Sequence, residues 1–163
     1  MNKTQVFEVA RVDSKTLLIT RTFSAPRDKV FEAWTVADHV KHWWDPTGKP
    51  LRKCEIDLKP GGRFHWVHSG PEGRTFAGSY TTIHAPTRLE FKVDGLPSPE
   101  GSSAALEFRE TEGGTMLKML MTFASKKDCD AILQMRVDAN TGKTLANLED
   151  YLAAQHGRAT RNT

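Results

Sequence analysis

From Cys54 onward, apolar and polar residues alternate with a period of two, and a helical period takes over only near Ser125. Cys54, Ile56 and Leu58 alternate with Glu55 and Asp57. Phe64, Trp66 and His68 alternate beyond the turn Lys59-Pro60-Gly61-Gly62, which predicts a β-hairpin. Ser69 to Gly73 predicts a turn, and Phe76 to Ile83 a strand broken at Ala85-Pro86. Leu89, Phe91 and Val93 alternate with Arg88, Glu90 and Lys92, the cleanest half-buried strand in the chain. Gly95 to Ser102 predicts a loop. Leu106 and Phe108 alternate with Glu107 and Arg109, and Gly113-Gly114 turns the chain into a strand from Thr115 to Phe123. The shared period places Phe64, Trp66, Phe91, Leu106, Met119 and Met121 on one sheet face.

The flanks differ. Residues 1–15 read as a loose or edge-paired arm, and Thr16 to Phe23 as a strand. Ser24-Ala25-Pro26 predicts a helix start, with a capping hydroxyl and a proline in the first turn. Val30, Phe31 and Trp34 follow at helical spacing, and a second short helix fits Ala37 to Trp44. Near the C-terminus, Ser125 and Asp128 have capping-box-like spacing. Ile132, Met135, Ala139, Leu145, Leu148 and Leu152 then predict one long helix of about 28 residues, or ~42 Å. The polar tail 156–163 is expected to be flexible.

The expectation is an α+β fold in one domain, 16–155. A curved antiparallel sheet of about six or seven strands wraps the long C-terminal helix, with two short helices after the first strand. Ile132 and Met135 are expected to meet the sheet. One helix over a bent sheet leaves a gap, and that gap is where function would sit.

Composition narrows the classes. The 23 basic and 20 acidic residues are mixed along the chain and form no basic stripe, so there is no case for nucleic acid. No apolar run approaches the ~20 residues of a membrane span, and Met1 to Ala10 lacks the apolar block of a secretory signal. These observations predict the cytoplasm; Cys54 and Cys129 have no metal-ligand spacing, and two reduced thiols are expected there, with a disulfide between them as the alternative.

Ser24-Ala25-Pro26, Val30-Phe31-Glu32-Ala33-Trp34 and His42-Trp43-Trp44-Asp45-Pro46 together form an ordered set. It continues through Asp57-Leu58-Lys59-Pro60-Gly61-Gly62-Arg63-Phe64, Gly78-Ser79-Tyr80, Pro86-Thr87-Arg88-Leu89 and Leu145, Leu148 and Leu152. This set resembles the activator of heat shock protein 90 ATPase homologue-like family of the START-like helix-grip superfamily. The resemblance implies that fold and a cavity, but no single activity, since members of the superfamily bind lipids, hormones or polyketides and some are enzymes. Many relatives carry a Gly-Trp pair in the grip helix, where this chain has Asn140 and Thr141. A missing indole there favours an open cavity.

The candidate ligand-binding residues are Trp43, Trp44, Trp66, Tyr80, Phe91, Met119, Met121 and Met135. Aromatic faces stack on flat ligands, and methionine adapts to irregular walls. The partner expected is a small hydrophobic or aromatic molecule, with no cofactor and no metal. A homodimer is left open, as is a chaperone partner that no residue supports. His39 and His42 share a helical face, whereas His65 and His68 fall on opposite strand faces, and no further ligand completes a zinc motif. Gly61-Gly62 reads as a turn, not a phosphate loop. His65 or His68 beside Asp57 is the one candidate acid–base pair, and no nucleophile motif accompanies it.

Three readings compete: a binding module, a polyketide-cyclase- or hydrolase-like enzyme, and a co-chaperone-like interaction domain. The reading leans away from an enzyme and names no catalytic residue. An aromatic cavity without a paired histidine and carboxylate favours the first. Such a pair inside the cavity favours the second. A filled cavity with an exposed apolar patch favours the third.

Overall fold

The computed structural model describes residues 7–71 and 73–161, with the side chains of 156–161 excepted. In chain order the elements are β1 (Phe7–Asp13), β2 (Thr16–Phe23), α1 (Arg27–Thr35), α2 (Ala37–Trp43), β3 (Lys53–Ile56) and β4 (Arg63–Val67). They continue with β5 (Thr75–His84), β6 (Arg88–Val93), β7 (Ser102–Thr111), β8 (Gly114–Phe123), α3 (Lys126–Gln134) and α4 (Val137–Arg161). The strands form one antiparallel sheet in the order β1-β2-β8-β7-β6-β5-β4-β3. The chain is α+β with the helix-grip arrangement. No helix among the described residues is long and apolar enough to cross a membrane.

Register carries the core. Directly paired residues in an antiparallel sheet share a face. Tyr80, Phe91, Ala104, Met121 and Leu17 form one such row across five strands, and Leu89, Leu106, Met119 and Ile19 form the next. Phe64 pairs with Gly78, and Trp66 with Phe76. The glycine is required there: a Cβ at Gly78 would lie 1.8 Å from the Lys92 carbonyl oxygen and 2.8 Å from Cζ of Phe64. The period-two reading therefore holds for all six residues assigned to that face.

At one end of the sheet an aromatic cluster fills the core. Trp34 meets Trp43 at 4.9 Å between ring centroids, and Trp44 meets Trp66 at 4.8 Å, both edge-on. Edge-to-face packing is the favoured geometry for such rings. Leu145, Leu148 and Leu152 of α4 join the same core.

Several expectations need correction. The sheet has eight strands, because Phe7–Asp13 pairs with β2 as an edge strand, so two strands rather than one precede the short helices; residues 1–6 of the expected arm lie outside the described residues. Ser24 does not cap α1; Pro26 occupies the N-cap, with no side-chain hydrogen bond, and the Ser24 N–H donates to Glu149 Oε1 at 3.3 Å. The C-terminal helix is broken. Arg136 has φ +60°, its N–H donates to the Leu133 carbonyl, and its own carbonyl accepts from the Asn140 N–H. It thus ends α3 in the left-handed conformation and opens α4. The break turns Met135 out to 53% exposure, so Ile132 reaches the core and Met135 does not; Ala139 is exposed as well. The α4 backbone runs to Arg161, past the residue at which the polar tail was expected to begin.

Two outcomes follow from this packing. Leu148, fully buried, should cost about 2–5 kcal/mol when replaced by alanine, measured by urea unfolding. Arg136→Gly should lose nothing and gain up to about 1 kcal/mol, whereas Arg136→Val should destabilise, because a β-branched residue resists positive φ.

Candidate functional site

Between the sheet and the start of α4 lies a concave pocket of about 690 Å³. Its floor is the sheet: Phe91 and Val93 of β6, Ala104 of β7, and Met119 and Met121 of β8. Its roof is Ile132 of α3 with Thr141, Thr144 and Leu145 of α4. Trp34, Trp44 and Phe76 close the side next to the aromatic cluster. The space has a local cause in the sequence. Ala104 sits between Phe91 and Met121 in its row, and Thr141 faces from the helix, so two small side chains stand where bulky ones would fill the gap.

The mouth is polar. Asp45 and Thr47 follow α2, and His68 follows β4. The β3-β4 hairpin brings them together. Leu51 N–H donates to the Lys41 carbonyl and Arg52 N–H to the Val67 carbonyl, each at 2.8 Å, so the chain before β3 lies beside the chain after β4. His68 Nδ1 then stands 3.2 Å from Asp45 Oδ2, with side chains 21% and 7% exposed. Thr47 donates both its backbone N–H and its Oγ1–H to Asp45 Oδ1, each at 2.9 Å. The segment is strapped to the long helix. Thr144 Oγ1 donates to the Trp44 carbonyl at 3.2 Å, and Asn147 Nδ2 to the Asp45 carbonyl at 3.0 Å. Burial works to raise the Asp45 carboxyl, but the two Thr47 hydrogen bonds and the neighbouring imidazole outweigh it and hold it below its ordinary 3.8.

Of the eight residues singled out in the sequence, Trp44, Phe91, Met119 and Met121 line the pocket. Trp43, Trp66 and Tyr80 are buried in the adjoining core; Trp43 Nε1 donates to the Ala33 carbonyl at 3.0 Å. Met135 faces away, for the reason given above. His65 lies opposite Glu55 across the hairpin at 3.8 Å and Asp57 beside Lys59, so Asp57 forms the anticipated pair with neither His65 nor His68. His39 hydrogen-bonds Tyr151 through Nδ1, and His42 stacks on the same ring at 5.7 Å. Among the described residues no group of three His, Cys, Asp or Glu could hold a metal ion. Cys54 is a free thiol pushed up to about 12 by burial, which keeps it protonated and poorly nucleophilic.

Sequence reasoning missed Asp45 as the partner of His68. Nothing in their spacing marks the pair, because tertiary contacts on either side of a hairpin create it.

A family model described as Activator of Hsp90 ATPase homolog 1-like protein matches residues 24–153. Among solved structures, a protein from Rhodobacter sphaeroides has a TM-score of 0.82 at 24% identity, over 91% of this chain and 99% of that one. One from Nitrosomonas europaea has 0.80 at 24%, over 90% and 99%. One from Mycobacterium smegmatis has 0.78 at 25%, over 94% and 100%. No curated protein matches the chain.

Because its carboxyl is depressed on folding, Asp45 contributes stability that is full above pH 3.8 and is lost as pH falls through the folded value. Urea unfolding of Asp45→Asn should therefore fall less steeply than wild type between about pH 5 and about pH 3.

Proposed function

We propose a ligand-binding function for this chain, which belongs to the Activator of Hsp90 ATPase homolog 1-like family: it holds a small hydrophobic or aromatic molecule between the sheet and α4. The observation that carries this reading is the pocket itself. Its volume lies within the roughly 300–1,000 Å³ of small-molecule sites, and its floor and roof are largely apolar. Phe91 and Trp44 offer ring faces and edges, while Met119 and Met121 supply an adaptable floor. The reading requires neither a second copy nor a chaperone partner.

An enzyme of the polyketide-cyclase or hydrolase type using the same cavity is the second reading, and the His68–Asp45 pair is the observation in its favour. It stays second because, among the described residues, no serine, threonine or cysteine side chain hydrogen-bonds His68 as a nucleophile would. The interaction-domain reading needs a filled cavity and a contiguous apolar patch. It stands third because the space between the sheet and α4 is lined as a pocket rather than packed solid.

The test uses N-phenyl-1-naphthylamine and a saturated fatty acid as probes. Either should change tryptophan emission through Trp34 and Trp44 and raise the melting temperature. At a hundredfold excess over Kd the stabilisation is about 2.7 kcal/mol, or roughly 5–10 °C for a chain this size. Thr141→Trp, which puts an indole into the roof, should weaken probe binding at least tenfold while the melting temperature of the free protein holds or rises. Unchanged affinity in that variant contradicts the assignment of the site.

A further inference from the structure

The mouth of the pocket holds a polar pair that a plain hydrocarbon would leave unused. Asp45 is its fixed member: it is buried, two Thr47 donors hold Oδ1, and Asn147 holds its backbone carbonyl. A carboxylate can only accept, so Oδ2, 3.2 Å from His68 Nδ1, favours the imidazole tautomer with its proton on that nitrogen. Nε2 is then an acceptor, and it makes no hydrogen bond to a described residue. His68 lines the pocket, so a ligand entering there displaces water from the imidazole.

We propose that His68 is the hydrogen-bond acceptor for a hydroxyl group on the pocket's ligand, with Asp45 as the positioning residue. The ligand class is accordingly a hydroxylated aromatic, with its ring on the floor and its hydroxyl at the mouth. This inference rests on the ligand-binding reading above. Leaving a desolvated acceptor unpaired costs roughly fivefold to a hundredfold in affinity, and a hydroxyl removes that penalty. An ammonium head group fits less well, because it would lose its hydration against the apolar walls.

A pair of probes with the same shape tests this: 4-hydroxystilbene and 4-methylstilbene, titrated against the full chain by tryptophan fluorescence. The hydroxyl compound should bind wild type about tenfold more tightly. In His68→Phe the two affinities should converge to within about twofold, with the methyl compound's affinity retained. His68→Ala serves the same purpose if the phenylalanine disturbs the turn, and circular dichroism reports folding for both. Asp45→Asn should shrink the preference for the hydroxyl without weakening the methyl compound, a change in selectivity that a merely structural role would not produce. Equal affinities in wild type, or a preference that survives removal of His68, overturns the inference and leaves the pocket standing. Binding of neither compound overturns the pocket reading and the inference with it.

Discussion

An eight-stranded sheet with one apolar face must be covered by helices that are too few to cover it evenly. That mismatch governs the rest of the molecule. The indoles of Trp34, Trp43, Trp44 and Trp66 fill the space toward α1 and α2. At the other end the helical segment breaks at Arg136, so α3 packs on β8 while α4 packs on α1 and α2. Between the two coverings the floor is Ala104 flanked by larger residues, and the roof carries Thr141. The sheet face is left open there because neither residue can reach across.

The polar mouth depends on the same scaffold. Asp45 is held by Thr47 from its own loop and by Asn147 from α4, so the long helix positions the carboxylate as well as roofing the pocket. His68 arrives from the far side of the β3-β4 hairpin. A site built in this way has a largely apolar floor and an oriented His68–Asp45 pair at its entrance. Such an arrangement distinguishes ligands by where their polar atom lies rather than by overall hydrophobicity.

Much of the fold was legible because strand alternation is a local signal. Leu89, Phe91 and Val93 alternate with charged neighbours, and the structure gives them one face. The edge strand β1 was weaker as a sequence signal because most of its residues stay exposed, leaving little apolar contrast. The helix break was illegible for a different reason. Arginine seldom adopts positive φ, and no glycine or proline marked the position. One of the methionines chosen for the site, Met135, was therefore misplaced by that break. Trp43, Trp66 and Tyr80 carry the residue types of a pocket wall yet serve as its buried support, a distinction that residue type alone cannot make. The Asp45–His68 pair was hidden because it joins two loops across a hairpin.

The most direct test of the account uses the methionines as reporters. The chain has five, and four fall among the described residues: Met119 and Met121 on the pocket floor, Met116 off the pocket on β8, and Met135 turned outward. With ¹³C-methyl-methionine protein titrated with N-phenyl-1-naphthylamine, the account predicts that the Met119 and Met121 methyl resonances shift together and saturably. Those of Met116 and Met135 stay in place. Shifts confined to Met116 or Met135, or none at Met119 and Met121 while the probe binds, would contradict it.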